Sequence, residues 1–393
     1  MRSIPTASRR RGWSWRAWAA STASRSAPDG LLYGPLWYTG QIVRIDVDAG
    51  TLEVVAEGLA IPSAVAFSPD GTLFALDSLS GGVMSVDLDD GGLTTVATLP
   101  NGLDNLAFDA EGTLYVSTLD GISRIDIASG TVESVVSGAL AAPNGLALVE
   151  TETGGTLYVA DNFAFRAVDT ANGAVRDITR DFPDAFSTIY PSSVTVGEAA
   201  IYSSSWFSNT IQIFDRETET LTAVWLDFAL PQDMVELADG RLLVAELATG
   251  QLTLVSGADG ETREAVVTDL AGPRSMAVGP DGAIYVADIG GTVTRIDPSD
   301  WSGAVVVEGL SGPEGIAFDP TTGKLVVSDA GARRIVSLDP ATGAIAVLAA
   351  DLPIGDEIPE GLPIWGRSDV AVGADGTIYF SSTDIGIYQL SPQ

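Results

Sequence analysis

The chain has 393 residues, with 52 Asp and Glu against 20 Lys and Arg, and so carries a formal charge of −32 at neutral pH. A protein this acidic repels phosphate backbones, which excludes nucleic acid as an expected partner. The absence of Cys and His excludes disulfides, thiol nucleophiles, Ser-His-Asp triads and imidazole metal ligands. No apolar run approaches the length of about 18 residues that a membrane span needs.

The first 28 residues differ in composition from the rest of the chain. They are rich in Arg, Ser, Ala and Trp, contain no acid, and include Arg16 where a secretory signal would be apolar. We predict that residues 1–28 are a disordered or processed basic segment and that residues 29–393 form one domain. An extracytoplasmic location is weakly favoured over a cytoplasmic one.

From Leu31 onward one short pattern recurs along the chain. Its clearest copy is PRSMAVGPDGAIYVAD, Pro273–Asp288, and its turn position recurs at intervals of 41 to 43 residues, with one interval of 53. A period of about 40–45 residues is typical of a propeller blade. The sequence therefore predicts an all-β fold, a single β-propeller.

Each repeat reads as four strands rich in Val, Ile, Leu and Tyr. In the copy above, strands are expected at Ser275–Val278, Ala283–Ala287, Thr292–Ile296 and Ala304–Glu308. Asp-Gly pairs supply the positive φ that tight hairpins need. A second turn has the form Asp-x-x-x-Gly, and it occurs at Asp46, Asp87, Asp126, Asp169 and Asp339. These aspartates are expected to cap turns, not to catalyse.

Seven full units fill Pro62–Ala350, and further strands remain at both ends. A propeller usually closes by completing one blade from both termini, which hides exposed edges. We predict eight four-stranded antiparallel blades closed in this way, with seven or nine as alternatives. Two irregular segments, Arg180–Tyr190 and Asp351–Gly366, interrupt the period and are candidates for a lid or wall. Trp365 in the second is a predicted ligand contact.

The residue after the repeat proline begins the inner strand and is expected to lie at one mouth of the central channel. These positions are Ser63, Asp104, Asn144, Ser192, Gln232, Arg274, Glu314 and Ser368. The next strand runs back to the same face and ends in acids that include Asp161, Asp288 and Asp329. The polar residue types differ from blade to blade, which a purely structural repeat does not require. The sequence thus predicts a polar, net acidic ligand site.

The chemistry of this site is open at the level of residue types. Oxygen-rich groups such as Asp, Asn and Gln suit Ca²⁺ or another divalent cation, the predicted cofactor. Arg274 beside Glu314 or Asp288 could instead form an ion pair, hold a carboxylate or polarise a carbonyl. The plain structural alternative is that these side chains bond to loop backbones and to each other.

The motifs GPLW (Gly34–Trp37), PNGLA (Pro143–Ala147) and the repeated PxGIAxxPDGxxYVAD resemble the gluconolactonase/regucalcin-like propellers and, more broadly, NHL and YVTN-type propellers. The resemblance implies a divalent metal held at the channel mouth by a Glu, Asn residues and an Asp, with a carboxylate as base. Asn144 matches the family's Asn-Gly-Leu motif. Asp104 stands at a second Asn-type ligand, Gln232 where the family has its Asp, and Tyr33 where it has its Glu.

Two functions follow, and the sequence does not choose between enzyme and binding protein. In the first, a metal-dependent, lactonase-like hydrolase acts on a small lactone or sugar-like substrate. Asn144, Asp104 and Gln232 would then hold the metal, Asp104 or Glu314 would activate water, and Arg274 would assist. Gln232, Asp161, Asp288 and Trp365 would contact the ligand. In the second, a non-catalytic NHL-type propeller binds a protein, peptide or glycan on this face. A monomer is expected in both cases.

Overall fold

The structure is a computed structural model, and it describes most of the chain. The described ranges are 25–26, 29–118, 121–137, 140–141, 143–151, 154–161, 164–180, 191–257, 259–355, 368–382 and 386–391. Within them the protein is all-β and has no α-helix, only two short 3₁₀ turns at Trp37–Thr39 and Ala330–Ala332. None of these described elements is a helix of the length and apolarity that crossing a membrane demands.

The chain divides into two compact units, residues 1–138 and 139–393. The first unit contains three four-stranded antiparallel sheets. Sheet 1 consists of β1 (Arg25–Ser26), β2 (Leu32–Leu36), β3 (Gln41–Asp46) and β4 (Thr51–Glu57). Sheet 2 consists of β5 (Pro62–Phe67), β6 (Leu73–Asp77), β7 (Gly82–Val86) and β8 (Leu93–Thr98). Sheet 3 consists of β9 (Leu103–Phe108), β10 (Leu114–Thr118), β11 (Gly121–Asp126) and β12 (Thr131–Ser137).

The second unit contains six sheets, which we number 4 to 9 in chain order. Sheet 4 is β13 (Pro143–Thr151), β14 (Gly154–Asp161), β15 (Ala164–Asp169) and β16 (Val175–Thr179), and sheet 5 is β17 (Pro191–Val196), β18 (Ala200–Ser205), β19 (Thr210–Asp215) and β20 (Leu221–Trp225). Sheet 6 is β21 (Pro231–Glu236), β22 (Leu242–Glu246), β23 (Gln251–Ser256) and β24 (Thr262–Val267), and sheet 7 is β25 (Pro273–Val278), β26 (Ile284–Asp288), β27 (Val293–Ile296) and β28 (Gly303–Val307). Sheet 8 is β29 (Pro313–Asp319), β30 (Lys324–Asp329), β31 (Arg334–Leu338) and β32 (Ile345–Ala349), and the three-stranded sheet 9 is β33 (Val370–Val372), β34 (Ile378–Ser382) and β35 (Gly386–Leu390).

The six sheets of the second unit form a closed ring. The first strand of each sheet contacts the first strand of the next, from β13 through β17, β21, β25 and β29 to β33. The ring then closes because β33 and β34 contact β13. A backbone bond marks this closure, since the Leu146 N–H donates to Asp369 Oδ2 at 2.9 Å. Residues 139–393 therefore contain a complete six-bladed propeller.

The predicted turn chemistry is confirmed in both hairpin types. Gly282 has a φ of +78° in the hairpin between the first two strands of sheet 7, a conformation that only glycine adopts without strain. In sheet 1, Asp46 Oδ1 accepts a 2.7 Å bond from the Ala49 N–H while Gly50 N donates to Asp46 O. These bonds form between residues close in sequence, and they end one strand and start the next. The repeat can therefore be recognised from the sequence alone.

The core of the propeller lies between neighbouring sheets. Side chains of alternate residues in the two sheets interlock, as when Leu243 and Leu252 of sheet 6 pack with Met276 and Ile284 of sheet 7. Burying each such side chain stabilises the fold by roughly 1.5–3 kcal/mol. This packing fixes the spacing of the inner strands and so shapes the channel they enclose.

The described residues form nine sheets, where eight blades were the leading prediction and nine an alternative. Instead of one blade shared by both termini, the N-terminal strands occupy sheet 1 and the C-terminal strands occupy sheet 9. The strand β1 lies inside residues 1–28, which sequence reasoning set outside the fold. The strands outside the seven full repeat units, β1 included, form two sheets, sheet 1 and sheet 9. The assignment of residues 29–393 to one domain stays a prediction.

Candidate functional site

In the second unit the predicted mouth residues lie at the start of the inner strands. In most of the sheets the strand register is irregular at this point. In five of the six sheets the register with the next strand shifts just after the repeat proline, for example between Pro231 and Asp233. A residue in such a bulge is re-aimed out of the strand pairing. We call the six positions the mouth ring: Asn144, Ser192, Gln232, Arg274, Glu314 and Ser368.

The mouth ring residues bond from sheet to sheet. Arg274 Nη1 donates to Gln232 Oε1 at 2.7 Å, and Arg274 Nη2 lies 3.5 Å from Glu314 Oε1. Glu314 Oε2 accepts the Ser368 N–H at 2.8 Å. On the other side of the ring, Asn144 Nδ2 donates to Pro191 O at 3.1 Å and Ser192 Oγ to Pro231 O at 3.2 Å. These bonds link sheets 4 through 9.

Burial divides the mouth ring into two kinds of residue. Five of its six members are less than 9% exposed, whereas the Glu314 side chain is 22% exposed. Arg274 is almost wholly buried beside it. A ligand that approaches this ring therefore meets the Glu314 carboxylate first.

This arrangement does not fit a divalent cation at Gln232. Its Oε1 already accepts a bond from the Arg274 guanidinium, whose fixed positive charge would repel Ca²⁺ held at the same oxygen. Among the described residues, no three His, Cys, Asp or Glu side chains are grouped closely enough to hold a metal ion. The metal-ligand role predicted for Asn144, Asp104 and Gln232 remains a prediction without support from this donor set.

Asp104, a predicted metal ligand and base, is not part of the mouth ring. Asp104 is exposed on β9 in the first unit, where its Oδ2 accepts a 3.1 Å bond from Asn105 Nδ2. Trp365, the predicted aromatic ligand contact, lies outside the described residues. Tyr33, at the position of the family's Glu, is buried in sheet 1 and donates from its hydroxyl to Asp29 Oδ2 at 3.0 Å.

The acids that end the second strands bond to nearby backbone, and Asp161 and Asp329 also pair with arginines. Asp161 accepts the Ala141 N–H at 2.9 Å and an ion pair from Arg166 Nε at 2.8 Å. Asp288 accepts the Thr292 N–H at 3.3 Å, and burial raises the pKa of its carboxyl. These contacts hold loops in place next to the inner strands, and the ligand-binding role of Asp161 and Asp288 stays a prediction.

One step deeper along the inner strands lies a second set of residues, which we call the inner belt. In sheet order it consists of Gly145, Ser193, Asp233, Ser275, Gly315 and Asp369. Four N–H and O–H groups donate to the buried Asp233: its Oδ1 accepts from Ser193 Oγ and Met234 N, and its Oδ2 from Ser275 Oγ and Met276 N. Asp233 thereby joins sheets 5, 6 and 7.

Glycine is required beside the second belt carboxylate. A Cβ on Gly315 would lie 2.6 Å from Asp369 Oδ1, and a Cβ on Gly145 would lie 2.4 Å from the Ser193 Cα. Backbones at these positions approach too closely for any side chain. The small belt residues thus bring the inner strands together around two carboxylates.

Beyond the inner belt lies a cavity of about 480 Å³ lined by all six sheets of the second unit. Asp233, Ser275 and Asp369 line it at the belt, and Glu198, Glu236 and Arg216 line it at the far ends of the strands. The cavity therefore opens at the opposite end of the inner strands from the mouth ring.

Sequence reasoning did not propose the inner belt or the cavity. The sequence predicted no role for Asp233 or Asp369. The available signal was the residue two after each repeat proline, or two after Arg367 in sheet 9, which is Gly, Ser or Asp in every sheet of the ring. Small side chains at a repeated inner position indicate close approach of backbones.

Comparison with known proteins adds one family match. Residues 14–161 match the family described as SMP-30/Gluconolactonase/LRE-like region. A search of curated proteins finds no relative of this sequence.

Several solved structures match the chain at low similarity. Virginiamycin B lyase from Staphylococcus aureus is 16% identical with a TM-score of 0.42, covering 84% of this chain and 95% of that one. The extracellular domain of BT4673 from B. thetaiotaomicron is 11% identical with a TM-score of 0.45, covering 94% of this chain and 58% of that one. The WD40 propeller domain of Doa1 is 15% identical with a TM-score of 0.45, covering 82% and 89%.

These structural likenesses are too distant to bear on function. The family match spans the GPLW and PNGLA motifs and ends at Asp161, the last residue of β14. Residues 14–161 are therefore similar to the SMP-30/gluconolactonase/LRE-like family, as those motifs predicted.

Proposed function

We propose that the protein is a non-catalytic propeller that binds a polyhydroxylated ligand, a sugar or a glycan, at the mouth ring. The observation that carries this proposal is the bonded series Gln232, Arg274 and Glu314, which ends in the ring's one partly exposed carboxylate. A carboxylate held by a buried guanidinium is a fixed acceptor for ligand hydroxyl groups.

The neighbouring ring groups suit the same ligand class. Asn144, Ser192 and Ser368 are amides and hydroxyls that carry no charge, and the same groups orient ligands in many small-molecule sites. A fixed arrangement lowers the entropic cost of binding because fewer side chains have to be ordered.

A glycan array followed by calorimetry on the full chain tests this proposal. Glu314→Gln keeps the shape of the side chain but removes its charge, and it should weaken the affinity for an array hit about tenfold. Glu261→Gln changes an exposed acid away from the ring and should leave the affinity unaltered. The proposal is wrong if no glycan binds, or if the two variants lose affinity equally.

A lactonase-like hydrolase is the second candidate, and the family match over residues 14–161 favours it. In that case a carboxylate of the mouth ring would activate water against a lactone carbonyl. The two candidates separate in an assay of lactone hydrolysis with EDTA and then with Ca²⁺, Mg²⁺, Mn²⁺ or Zn²⁺ added. Metal-dependent turnover that Asn144→Ala abolishes and Asn172→Ala spares would establish the hydrolase in place of the binding protein.

A further inference from the structure

Sheet 3, in the first unit, packs on sheet 2 through one of its two faces. Leu106, Leu114 and Val116 on that face are at most 2% exposed. Because alternate residues of a strand point to opposite sides of a sheet, the residues between them form a second face. We call it the sheet 3 outer face, and away from the turns it consists of Asn105, Ala107, Tyr115, Ser117, Ile122, Arg124, Glu133 and Val136.

The equivalent positions of sheet 2 show what such a face contacts when a sheet follows it. In sheet 2, Val83 pairs with Ala97, and both pack against sheet 3 at 0% and 6% exposed. At the same place in sheet 3, Ile122 pairs with Val136, and these side chains are 40% and 51% exposed. The sheet 3 outer face is therefore a blade-packing surface that is open to solvent.

A surface that packs between blades is covered by another sheet. Each sheet of the second unit already has a sheet on either side, because the six form a closed ring. On the face of sheet 1 that points away from sheet 2, Val43 is 0% exposed, so that face is covered at its centre. Among the described sheets, the open face that remains to cover it is the sheet 3 outer face of a second copy.

The charge of this face also favours a second copy. Its charged pair, Arg124 and Glu133, lie opposite each other on β11 and β12 and form an ion pair, so the centre of the face carries no net charge. A further acid, Asp126, ends β11 at the rim, where its Oδ1 accepts the Ser129 N–H of the turn. The chain as a whole carries −32, so two copies repel each other over most of their surfaces. A neutral, partly apolar face is a place where they can meet.

We propose that two copies of this protein associate through the sheet 3 outer face, related by a two-fold axis. In such an interface the same patch is used by both copies, and each supplies the neighbouring sheet that the other needs. Tyr115, Ile122 and Val136 become buried on association. One sheet face is small beside a standard interface, so the dimer is weak and depends on concentration. The monomer expected from the sequence is the form present in dilute solution.

Sedimentation equilibrium of the full chain over a range of protein concentrations tests this proposal. Ile122→Glu places a carboxylate inside the interface in both copies, and it should weaken dimerisation by about tenfold or more. The control is Leu52→Glu, since Leu52 is 41% exposed and lies on β4 of sheet 1. It adds the same charge and should leave dimerisation unchanged. A chain that stays monomeric at every concentration would overturn the proposal, as would a loss from Leu52→Glu that equals or exceeds that from Ile122→Glu.

Two further measurements do not require a charged variant to fold. Added NaCl should strengthen the dimer of the unaltered chain, because salt screens the repulsion between two acidic molecules. The chain contains no cysteine, so Ile122→Cys and Leu52→Cys each accept a single maleimide label. Labelling of Ile122→Cys should slow as protein concentration rises, whereas labelling of Leu52→Cys should not. A dimer that weakens with NaCl, or labelling rates that respond equally to concentration, would contradict an interface at this face.

Discussion

Asp233 ties three sheets together by accepting four hydrogen bonds. We expect Asp233→Ala to lower the free energy of unfolding by about 3 kcal/mol or more, because two buried backbone N–H groups lose their acceptor. Urea denaturation of the full chain measures this change. Asp239→Ala removes an exposed ion pair with Arg241 and should cost less than about 1 kcal/mol. Similar losses in both variants would contradict the assigned role of Asp233.

Asp288 and Asp281 lie on the same hairpin. Removing the charge of one and then of the other should shift the melting temperature at pH 7 in opposite directions. Burial raises the pKa of Asp288, so the folded state holds its proton more tightly than the unfolded state does. Ionisation of this carboxyl therefore lowers the free energy of unfolding as pH rises from the unfolded pKa of about 3.9 through the raised value. Asp288→Asn should therefore raise the melting temperature at pH 7 and leave it unchanged near pH 3.

The matched variant is Asp281→Asn. The Arg295 side chain lowers the pKa of Asp281, so its charge stabilises the fold above the unfolded pKa and that stability is lost as pH falls through the folded value. Asp281→Asn should therefore lower the melting temperature at pH 7. Shifts of the same sign in the two variants at pH 7 would show that burial and ion pairing do not control these carboxyls.

Recurrence in the sequence predicted the mouth ring, but not what its side chains do. The repeat places Asn144, Gln232 and Glu314 at equivalent positions, and the structure confirms that they begin inner strands of one propeller. Which end of the channel is open depends on side-chain volume in three dimensions. Arg274 spans from Gln232 to Glu314 at one end, while beyond the belt the strands enclose a cavity of about 480 Å³. A single sequence does not show that difference.

At the scale of the strand, close packing at the inner belt predicts that a larger residue in place of Gly145 destabilises the fold. Gly145→Ala would place its Cβ 2.4 Å from the Ser193 Cα, so strands β13 and β17 would have to separate. We expect a loss of about 1–3 kcal/mol in the free energy of unfolding, as for other overpacked sites. Thermal melts with urea titration provide the measurement.

Gly303 is the control for this substitution. It also lacks a positive φ, and its added Cβ would meet only the side-chain tips of Ile296 and Thr294, at 3.1 and 3.4 Å. Gly303→Ala should be close to neutral, since both tips can give way. A Gly145→Ala variant as stable as Gly303→Ala would mean that the belt is looser than the structure has it.

The strands themselves were predictable because their signals are local. Asp-Gly turns, apolar runs and Asp-x-x-x-Gly turns each act within a few residues, and they predicted the four strands of sheet 7 nearly residue by residue. The two-residue strand β1 was not predictable, because Arg25 and Ser26 carry no apolar pattern and gain their place by pairing with Leu32 and Tyr33. The expectation of eight blades assumed that both termini complete one blade, whereas the N-terminal strands form sheet 1 and the C-terminal strands form sheet 9.

At the scale of the whole molecule, net charge should make stability depend on salt. A formal charge of −32 repels itself in the compact state, and at about 1 M salt the Debye length shrinks to about 3 Å. We expect the melting temperature at pH 7 to rise steadily between low salt and 1 M NaCl. A melting temperature that is flat or falls with NaCl would show that the surface ion pairs outweigh the net repulsion.

Closure of the ring in the second unit has a consequence for synthesis of the chain. The bond from Leu146 to Asp369 joins residues 223 positions apart. Sheet 4 therefore cannot contact sheet 9 until nearly the whole unit has been translated. At roughly 5–20 residues per second, that wait lasts about 10 to 45 s. During this interval one face of sheet 4 and one face of the most recently formed sheet are exposed on the nascent chain. A chaperone would bind the chain at these faces, and a second nascent chain on a neighbouring ribosome would associate with it there.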